Sequence, residues 1–357
     1  DIYYKKKFIS KSTMVIFHKN DTKIKNIKML KNKTILITGG TGSFGKAFSK
    51  HLVSNFNFKK LIIFSRDELK QFDMQNEKIF KNNKKLRFFL GDIRDQERLN
   101  MALKDVDIVI HAAALKQVLS SEYNPFETIK TNVIGAQNII NASINNNVKK
   151  VIALSTDKAC SPINLYGASK LCAEKLFINA NLMKGKKDIL FSMLRYGNVN
   201  GSRGSVMPIF KQLSRKKMIL SITNKNMTRF SIKMSEALEM VIWGLNNFKG
   251  GEILIPKIPS YNIVDLVEAL KSKYKIIGIR QGEKLHEDLI SKNESINSMI
   301  GKKYFILLRN NSDKKHINHY KSKNFKLSNK EFIYNSGNNP HFLNISEIKK
   351  IFQQLDD

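Results

Sequence analysis

The sequence predicts an α/β protein with a doubly wound parallel sheet and a smaller mixed C-terminal lobe. Short apolar runs alternate with stretches of helical period, as in parallel strands joined by helices. A glycine-rich turn, from Gly39 to Gly45, follows the first of these runs, and from about residue 196 onwards shorter mixed elements replace the alternation. We therefore expect a Rossmann-type domain over residues 29–195 and a substrate lobe over residues 196–357, some segments of which return to the sheet.

Composition narrows the classes of protein to consider. The chain has 357 residues, of which 42% are hydrophobic, and this is enough for a packed core. Its formal net charge is +32, but only ten of the 62 basic residues are arginines, whereas nucleic-acid surfaces concentrate arginine among aromatic residues. We therefore expect no nucleic-acid partner, although the charge would attract phosphorylated substrates.

Cysteine usage and hydropathy bear on cellular location and on membrane insertion. Cys160 and Cys172 provide neither a disulfide framework nor a metal-ligand spacing, so we expect no metal site and a cytoplasmic location. No apolar run approaches the roughly 20 residues that a membrane span requires. Residues 1–28 carry eight lysines against two aspartates and lack a signal-peptide core. We interpret them as a disordered extension or as sequence upstream of a true start at Met29.

The first strand and its turn predict a phosphate site. The strand Thr34 to Thr38 runs into the turn, and an amphipathic helical stretch follows at once. Backbone N–H groups of such a turn, with the helix N-terminus, can hold the pyrophosphate of a dinucleotide. The alternative is a tight strand-to-helix turn with no ligand. The predicted cofactor-binding residues here are Gly39, Thr41, Gly42, Ser43, Phe44 and Gly45.

The end of the second strand bears on the choice of cofactor. Leu61 to Phe64 leads into Ser65, Arg66, Asp67 and Glu68. An acid here would bind the ribose 2′-hydroxyl of NAD, whereas Ser65 and the Arg66 guanidinium can hold the 2′-phosphate of NADP. The two acids keep the choice open, and they would also favour the start of the next helix.

The third and fourth strands, Leu86 to Leu90 and Asp107 to His111, are followed by further candidate binding residues. Asp92 is placed to accept from an adenine amine, with Ile93 beside it. Ala112 starts a run of small residues that lets a flat cofactor lie close to the strand end. Lys116 would point toward the group that contacts the cofactor. A long helical stretch from about Pro125 to Asn146 follows.

The fifth strand, Val151 to Leu154, leads to the densest chemistry. Thr156, Asp157 and Lys158 follow it, and a helix from about Asn164 to Met183 carries Tyr166 and Lys170. Residues four apart share a helix face, so the lysine charge can stabilise a phenolate whose ordinary pKa is about 10. A tyrosine tuned in this way can act as a base near neutral pH. The alternative interpretation of Asp157 and Lys158 is a structural salt bridge in a loop.

The segment after the sixth strand, Ile189 to Leu194, supplies the polar anchors of the lobe. These are Asn198, Arg203, Arg229 and Glu283. Two isolated arginines suit a diphosphate, although they could equally be exposed residues of a basic protein. Residues from about 310 to 326 are Lys- and Asn-rich with little period, which predicts a loop, and a helix is expected from Ile345 to Leu355.

These motifs resemble the extended short-chain dehydrogenase/reductase superfamily through the glycine turn and the Tyr166 and Lys170 pair. A narrower resemblance is to inverting UDP-N-acetylglucosamine 4,6-dehydratases, which begin pseudaminic acid synthesis. It covers the chain from about Met29 to the C-terminus. The segments that carry it are 156–158, 162–170, 195–199, 202–205, 227–230 and 282–286. Leu119 departs from it, standing where these enzymes usually have proline, and the segment from Tyr334 to Asn339 shares it without an evident physical role.

The resemblance implies UDP-N-acetylglucosamine as substrate, a tightly bound and recycled NADP, and a homo-oligomer, expected to be a hexamer. It implies that Tyr166, helped by Lys170 and Thr156, takes the proton of the sugar 4-hydroxyl. Lys158, desolvated so that its pKa falls, would take the C5 proton, and a protonated Asp157 would give one to the departing 6-hydroxyl. Inversion at C5 rests on the resemblance alone.

Other functions remain open at this point. A nucleotide-sugar 4-epimerase would share Tyr166 and Lys170 but has no need for Asp157 and Lys158. A retaining 4,6-dehydratase would differ in the face that is protonated at C5. A non-catalytic NADP-sensing scaffold or a basic nucleic-acid binder would turn over no sugar, and its binding would be salt-sensitive in the second case.

Overall fold

A computed structural model of the protein describes residues 28–309 and 314–355. Residues 1–27, which hold nearly all of the predicted N-terminal extension, lie outside them. Among the described residues, none of the helices combines the length and the apolar character needed to cross a membrane.

The strands and helices follow one another along the chain in this order. The strands are β1 Thr34–Thr38, β2 Lys60–Ser65, β3 Leu86–Leu90, β4 Ile108–His111, β5 Lys150–Leu154, β6 Leu190–Leu194, β7 Asn198–Val199, β8 Leu220–Ile222, β9 Thr228–Ile232, β10 Glu252–Pro256, β11 Ser260–Asn262, β12 Tyr274–Ile276, β13 Asp288–Ile290, β14 Ser298–Ile300, β15 Tyr304–Leu308, β16 Lys326–Leu327 and β17 Tyr334–Asn335. The helices are α1 Ser43–Asn55, α2 Glu68–Asn76, α3 Gln96–Ala102, α4 Val118–Tyr123, α5 Pro125–Ile129, α6 Gly135–Asn145, α7 Leu165–Met183, α8 Val206–Arg215, α9 Met234–Asn247, α10 Ile263–Ala269, α11 Lys292–Ser295, α12 Lys314–Lys321 and α13 Ile345–Gln354.

The main sheet has the doubly wound order that the sequence predicts. Within the described residues it has ten strands, in the order β16-β14-β15-β10-β6-β5-β4-β1-β2-β3. Neighbouring strands pair in parallel across the sheet from β3 through β2, β1, β4, β5 and β6 to β10. Strands β15, β14 and β16 add an antiparallel edge. The predicted α/β Rossmann-type fold is therefore confirmed.

Continuous apolar runs explain the central strands. Every residue of β1 and β4 is buried, because helices cover both faces of a parallel sheet. Strand order reverses at β1, which lies between β2 and β4. Ligands of such sheets bind in the crevice outside the carboxyl ends of the strands at this reversal. The fold thus places the glycine turn and the ends of β2 to β4 at a single edge.

The chain after residue 196 contributes to two structures. Strands β10, β14, β15 and β16 extend the main sheet, whereas β7, β9 and β11 form a separate three-stranded sheet. A second apolar core lies under α8, α10 and α13, and it includes Phe210, Leu266, Ile348 and Phe352. Two short pairs, β8 with β12 and β13 with β17, complete this part of the chain.

Two expected elements differ from the observed ones. The predicted helix from Pro125 to Asn146 is α5, a π-helical segment Lys130–Ile134, and then α6. The predicted loop over residues 310–326 was wrong where the structure describes it, because α12 occupies most of it. Tyr320 of α12 is buried and donates a hydrogen bond to Glu252 at 2.7 Å. Tertiary packing, rather than a strong period, therefore holds this helix.

Candidate active site

The glycine turn between β1 and α1 brings backbone atoms very close together. Gly39 has a φ of +64°, and a Cβ there would lie 2.9 Å from backbone atoms of Ala113. A Cβ at Gly45 would lie 2.5 Å from the Gly39 carbonyl oxygen, so glycine allows α1 to start directly on the turn. Gly42 is the N-cap of α1 and has no side chain to cap it. The first N–H groups of α1 therefore remain available to an anion.

The turn opens into a cleft of about 360 Å³ at the carboxyl edge of the sheet. Predicted cofactor-binding residues that line the cleft are Gly39, Thr41, Gly42, Ser65, Arg66, Asp92, Ile93 and Ala112. Ser43, Phe44 and Gly45 belong to the first turn of α1. Of these, Ser43 Oγ accepts from the Arg203 backbone N–H at 3.1 Å, and Phe44 stacks on Phe48. The turn is thus joined to the loop that carries Arg203, which also lines the cleft.

At the end of β2, the side chains that bear on the choice between NAD and NADP differ in how they are engaged by their neighbours. Asp67 caps α2 by accepting from the Lys70 N–H at 3.0 Å, and it is also paired with the Lys70 ammonium. Ser65 Oγ accepts from Gln71 at 3.0 Å. The Arg66 side chain is 54% exposed, and its Nη1 lies 3.7 Å from Asp92 Oδ2. Of Ser65, Arg66 and Asp67, Arg66 therefore has the side chain with the most freedom to meet a ligand.

Asp92 is already engaged by a neighbour. Its Oδ2 accepts from Nε and Nη2 of Arg94 at 3.0 and 2.8 Å, and its Oδ1 accepts from the Arg94 backbone N–H. Burial acts to raise the pKa of Asp92, but the hydrogen bonds and charge of Arg94 produce a net lowering. The carboxylate is thus ionised and faces the cleft, and any contact with an adenine amine would use its remaining lone pairs.

The loop after β5 holds the candidate acid and base together. Thr156 is the N-cap of a short 3-10 helix, Asp157–Ala159, and its hydroxyl donates to Asp157 Oδ1 at 2.9 Å. The Lys158 ammonium donates to the same Oδ1 at 3.0 Å. Asp157 is fully buried and Lys158 is partly buried, with side-chain exposures of 1% and 20%. This pair is therefore a buried ion pair and not an exposed salt bridge.

Tyr166 and Lys170 share a face of α7, but they are not hydrogen-bonded to each other in the described part of the chain. The Lys170 ammonium donates to the Leu154 carbonyl at 2.7 Å. Burial raises the pKa of Tyr166 to about 12, against the lowering effect of the Lys158 charge and of a hydrogen bond with Thr156. Burial also lowers the pKa of Lys170 to about 8. The charge that most favours a Tyr166 phenolate is therefore Lys158, not the predicted Lys170.

The environment of Lys158 corrects another expectation. Burial alone would lower its pKa, as the sequence predicted, but the charges of Asp157 and Glu287 raise it overall. Glu287 Oε1 lies 3.2 Å from the Lys158 Nζ, and the Glu287 side chain is 2% exposed. Glu287, which directly follows the 282–286 motif, was not predicted from the sequence, because no spacing distinguishes it from Glu283. Lys158 is consequently an ammonium between two carboxylates in this state.

Three of the predicted substrate-binding residues, Lys116, Arg203 and Arg229, are basic and differ in their exposure. Arg203 and Lys116 are exposed, and the pKa of Lys116 is lowered by desolvation and by the charges of Arg203 and Lys158. Arg229 is 6% exposed, so the alternative of a simple surface arginine fails for it. Its Nη1 donates to the Thr228 and Leu285 carbonyls, and its Nη2 is 3.7 Å from Glu283. These cations lie around one region and favour an anionic ligand.

Two other polar residues complete the surroundings. Asn198 lies at the start of β7, and its amide is 3.5 Å from the Tyr261 hydroxyl. Asn132, in the π-helical segment, donates to the Leu115 carbonyl and to Ser169 Oγ at 2.8 and 2.9 Å. It therefore ties the strand end that carries Lys116 to the tyrosine helix, a role with no signal in the sequence. Within residues 28–309 and 314–355, no cluster of His, Cys, Asp or Glu is arranged to hold a metal ion.

Comparison with known proteins gives three close similarities. The profile of a family described as "Polysaccharide biosynthesis protein" matches residues 35–309. The chain is 49% identical over 336 residues to a UDP-N-acetylglucosamine 4,6-dehydratase (inverting) of Campylobacter jejuni subsp. jejuni serotype O:23/36 (strain 81-176), covering 92% of this chain and 99% of that protein. It is 40% identical over 338 residues to a UDP-glucose 4-epimerase of Rickettsia felis (strain ATCC VR-1525 / URRWXCal2), covering 92% and 97%.

Among solved structures, the chain is similar to Pen from Bacillus thuringiensis. The two chains are 34% identical and superpose with a TM-score of 0.82, which covers 91% of this chain and 99% of the other. The similarity therefore extends through both the main sheet and the elements after residue 196.

Proposed function

The chain belongs to the polysaccharide biosynthesis protein family, and from this premise we propose that it is an inverting UDP-N-acetylglucosamine 4,6-dehydratase. The product would be UDP-2-acetamido-2,6-dideoxy-β-L-arabino-hex-4-ulose, the first intermediate of pseudaminic acid synthesis. The observation that carries the proposal is the buried Asp157 and Lys158 pair beside Tyr166. A 4-epimerase, the activity of the Rickettsia relative, needs the tyrosine but neither of the other two.

Basic side chains support a nucleotide-sugar substrate. Lys158 and Arg203 are each close enough for their charges to act on Lys116, and Arg229 adds a buried guanidinium. Like charges gathered in this way are stabilised by a bound anion, and arginine in particular suits the oxygen atoms of a diphosphate. We assign Lys116, Arg203 and Arg229, with Asn198 and Glu283, to substrate binding.

The cofactor is a nicotinamide dinucleotide, and we propose NADP over NAD. The bare start of α1 and the close approach of Gly39 to Ala113 fit a pyrophosphate on the turn. Asp67, the acid that could bind a ribose 2′-hydroxyl, is occupied by Lys70, whereas the Arg66 guanidinium is half exposed at the cleft. When bound, the cofactor would accept hydride from sugar C4 and return it to C6, so that no external reductant is consumed.

Tyr166 is the proposed base for the 4-hydroxyl proton. Its pKa of about 12 is too high for ready ionisation at neutral pH in this state. The charge of Lys158 and a hydrogen bond with Thr156 lower the free energy of the phenolate, and Lys170 lies on the same face of α7. Removal of this proton accompanies oxidation at C4, and the resulting ketone acidifies the proton at C5.

A single proton shift would prepare the elimination. Moving a proton from the Lys158 ammonium to Asp157, across 3.0 Å, converts the ion pair into an amine and a carboxylic acid. The amine can then take the C5 proton, and the acid can give its proton to the departing 6-hydroxyl as water leaves. Afterwards Lys158 is an ammonium and Asp157 a carboxylate again. The pair therefore acts once as base and once as acid and returns to its starting state, and the product forms when hydride returns to C6 and C5 gains a proton that exchanges with solvent.

The test is incubation with UDP-N-acetylglucosamine and NADP⁺ in deuterated water, followed by NMR. We expect a 4-keto-6-deoxy sugar with the L configuration and deuterium at C5. Formation of the D configuration instead would indicate a retaining dehydratase. A C4 epimer, or substrate left untouched, would contradict the proposal.

Assembly and location stay predictions. We propose a homo-oligomer, a hexamer by the family resemblance, and exposed apolar side chains such as Tyr123 and Phe126 on α4 and α5 support self-association. Sedimentation velocity would check it, and a single species of monomer mass would contradict it. The two cysteines, neither in a disulfide, support a cytoplasmic setting.

A further inference from the structure

Glu287 is a buried acid that takes no part in the proposed proton transfers. It lies just before β13, with its Oε1 at 3.2 Å from the Lys158 ammonium. Asp157 Oδ1 contacts the same ammonium at 3.0 Å. One cation is thus shared by two carboxylates whose side chains are both at most 2% exposed.

The outer oxygens of both acids are unsatisfied. Asp157 Oδ2 and Glu287 Oε2 are buried, and neither accepts a hydrogen bond from any described residue. Buried polar atoms in folded proteins are almost always hydrogen-bonded, and an unpaired carboxylate oxygen destabilises the folded state. A second buried acid that is retained without full hydrogen bonding is more typical of a functional site than of a core.

Other charged groups surround Glu287 but are engaged elsewhere. The charged and titratable groups that act on or are affected by it are Lys158 and Asp157 from the 3-10 helix, Arg229 from β9, Lys284 from its own segment and Tyr166 from α7. Arg229 Nε is 3.9 Å away, and the Nη1 of the same guanidinium is bound to two backbone carbonyls. The Lys284 ammonium donates to the Cys160 carbonyl at 2.8 Å. Lys158 is therefore the cation with which Glu287 makes a close contact.

The segment from Tyr334 to Asn339, for which the sequence suggested no role, holds Glu287 in place. Ser336 Oγ accepts from the Glu287 N–H at 2.9 Å, and the Ser336 N–H donates to the Glu287 carbonyl at 2.8 Å. Ser336 Oγ also lies 2.8 Å from Thr228 Oγ1, next to Arg229. The amide of Asn335 donates to Asp288 at 2.7 Å. The backbone of Glu287 and the side chain of Asp288 are thus fixed by this one segment.

We propose that Glu287 is a positioning residue that serves as the permanent counter-ion of Lys158, and that residues 334–339 hold it there. The inference rests on the proposed dehydration. During elimination the C5–H bond breaks and its proton forms an N–H bond on Lys158, while the electron pair becomes the C5–C6 double bond. The C6–O bond breaks as Asp157 transfers its proton to the leaving oxygen. Because Asp157 must be protonated beforehand, it cannot also be the counter-ion that makes Lys158 a strong base, and Glu287 can.

The test is the pH profile of dehydration for Glu287→Gln. Glutamine keeps the shape but removes a negative charge 3.2 Å from the ammonium, so Lys158 should lose its proton at lower pH. We expect the limb of the rate profile that reflects Lys158 deprotonation to move down by about one pH unit or more, with a rate at least about tenfold lower on its plateau. Single-turnover reduction of bound NADP⁺ by substrate, followed by absorbance, should stay within about threefold of wild type.

Two further variants make each outcome decisive. Glu331→Gln, at an acid that is half exposed and paired with Lys292, should leave rate and profile unchanged. Glu287→Asp shortens the side chain but keeps the charge, so it should shift the profile less than glutamine does, and it serves if the glutamine variant fails to fold. A lower rate without a shifted profile in the glutamine variant, or in the aspartate variant if only that one folds, would indicate a merely structural role and overturn the inference. Absence of dehydrated product from the wild-type protein would instead overturn the proposed function.

Discussion

Lys158 is the residue on which loss of water depends. It lies between Asp157 and Glu287 and does not line the cofactor cleft. Alanine removes the base for C5, and general bases contribute about a hundredfold to ten-thousandfold to rate. We therefore expect Lys158→Ala to lower dehydration by about a thousandfold while NADP affinity changes by less than about threefold. Product assay by NMR and cofactor titration check this, and a variant that dehydrates at the parental rate would show that the base lies elsewhere.

Arg66 is the residue that should choose the cofactor. Its guanidinium is half exposed at the end of β2, whereas neighbouring Asp67 is paired with Lys70. A charge-assisted contact to the 2′-phosphate is worth more than a neutral hydrogen bond. Arg66→Ala should weaken NADP binding about tenfold or more and leave NAD binding within about twofold. Titration of the variant with each cofactor provides its own control, and an equal loss for both would contradict the assignment of NADP.

At the scale of elements, a buried arginine joins the main sheet to the chain after residue 196. Arg195, which follows β6, donates to Glu174 on α7 and to Glu294 on α11 at 2.9 and 2.7 Å. Burial acts to raise the pKa of Glu294, but hydrogen bonds from Arg195 hold it at about 2. Because this pKa is below the unfolded value, the stabilisation is present above about pH 4.5 and is lost as pH falls toward 2.

Glu294→Gln should remove that contribution. We expect the free energy of unfolding to fall by about 3 kcal/mol at pH 7, with a difference from wild type that shrinks below about pH 4.5. Denaturant unfolding at pH 7 and pH 3 measures it. The exposed pair of Glu331 and Lys292 gives a control, since Glu331→Gln should cost less than about 1 kcal/mol at either pH. A constant difference between Glu294→Gln and wild type across this range would mean that the ion pair is not its source.

The regular elements were the part of the structure most open to prediction. The strands of the first domain follow continuous apolar runs, and α7 begins where Asn164 caps it, because these features depend on neighbouring residues alone. Helix α12 could not be predicted in this way, since the buried contact of Tyr320 with Glu252 comes from a distant strand. The π-helical segment Lys130–Ile134 likewise has no local signal, although its Asn132 fixes the tyrosine helix.

At the scale of the whole molecule, the site combines residues from both parts of the chain. The local motif supplied Thr156, Asp157, Lys158 and Tyr166, whose proximity follows from a strand, a short loop and a helix. The sign of the Lys158 pKa shift could not be foreseen, because the charge of neighbouring Asp157 is joined by that of Glu287, which the fold brings in from the segment before β13. Sequence patterns thus predicted which groups are present, and only the tertiary structure showed which of them are in contact.

The most direct measurement of the central claim follows one isotope through the reaction. We would supply UDP-N-acetylglucosamine deuterated at C4, with unlabelled NADP⁺ in ordinary water, and locate the deuterium by NMR. If hydride leaves C4 and returns to C6 after water is lost, the label appears in the C6 methyl group of a 4-keto product. Deuterium found again at C4, in a sugar that keeps its 6-hydroxyl, would show an epimerase and contradict the proposed dehydration.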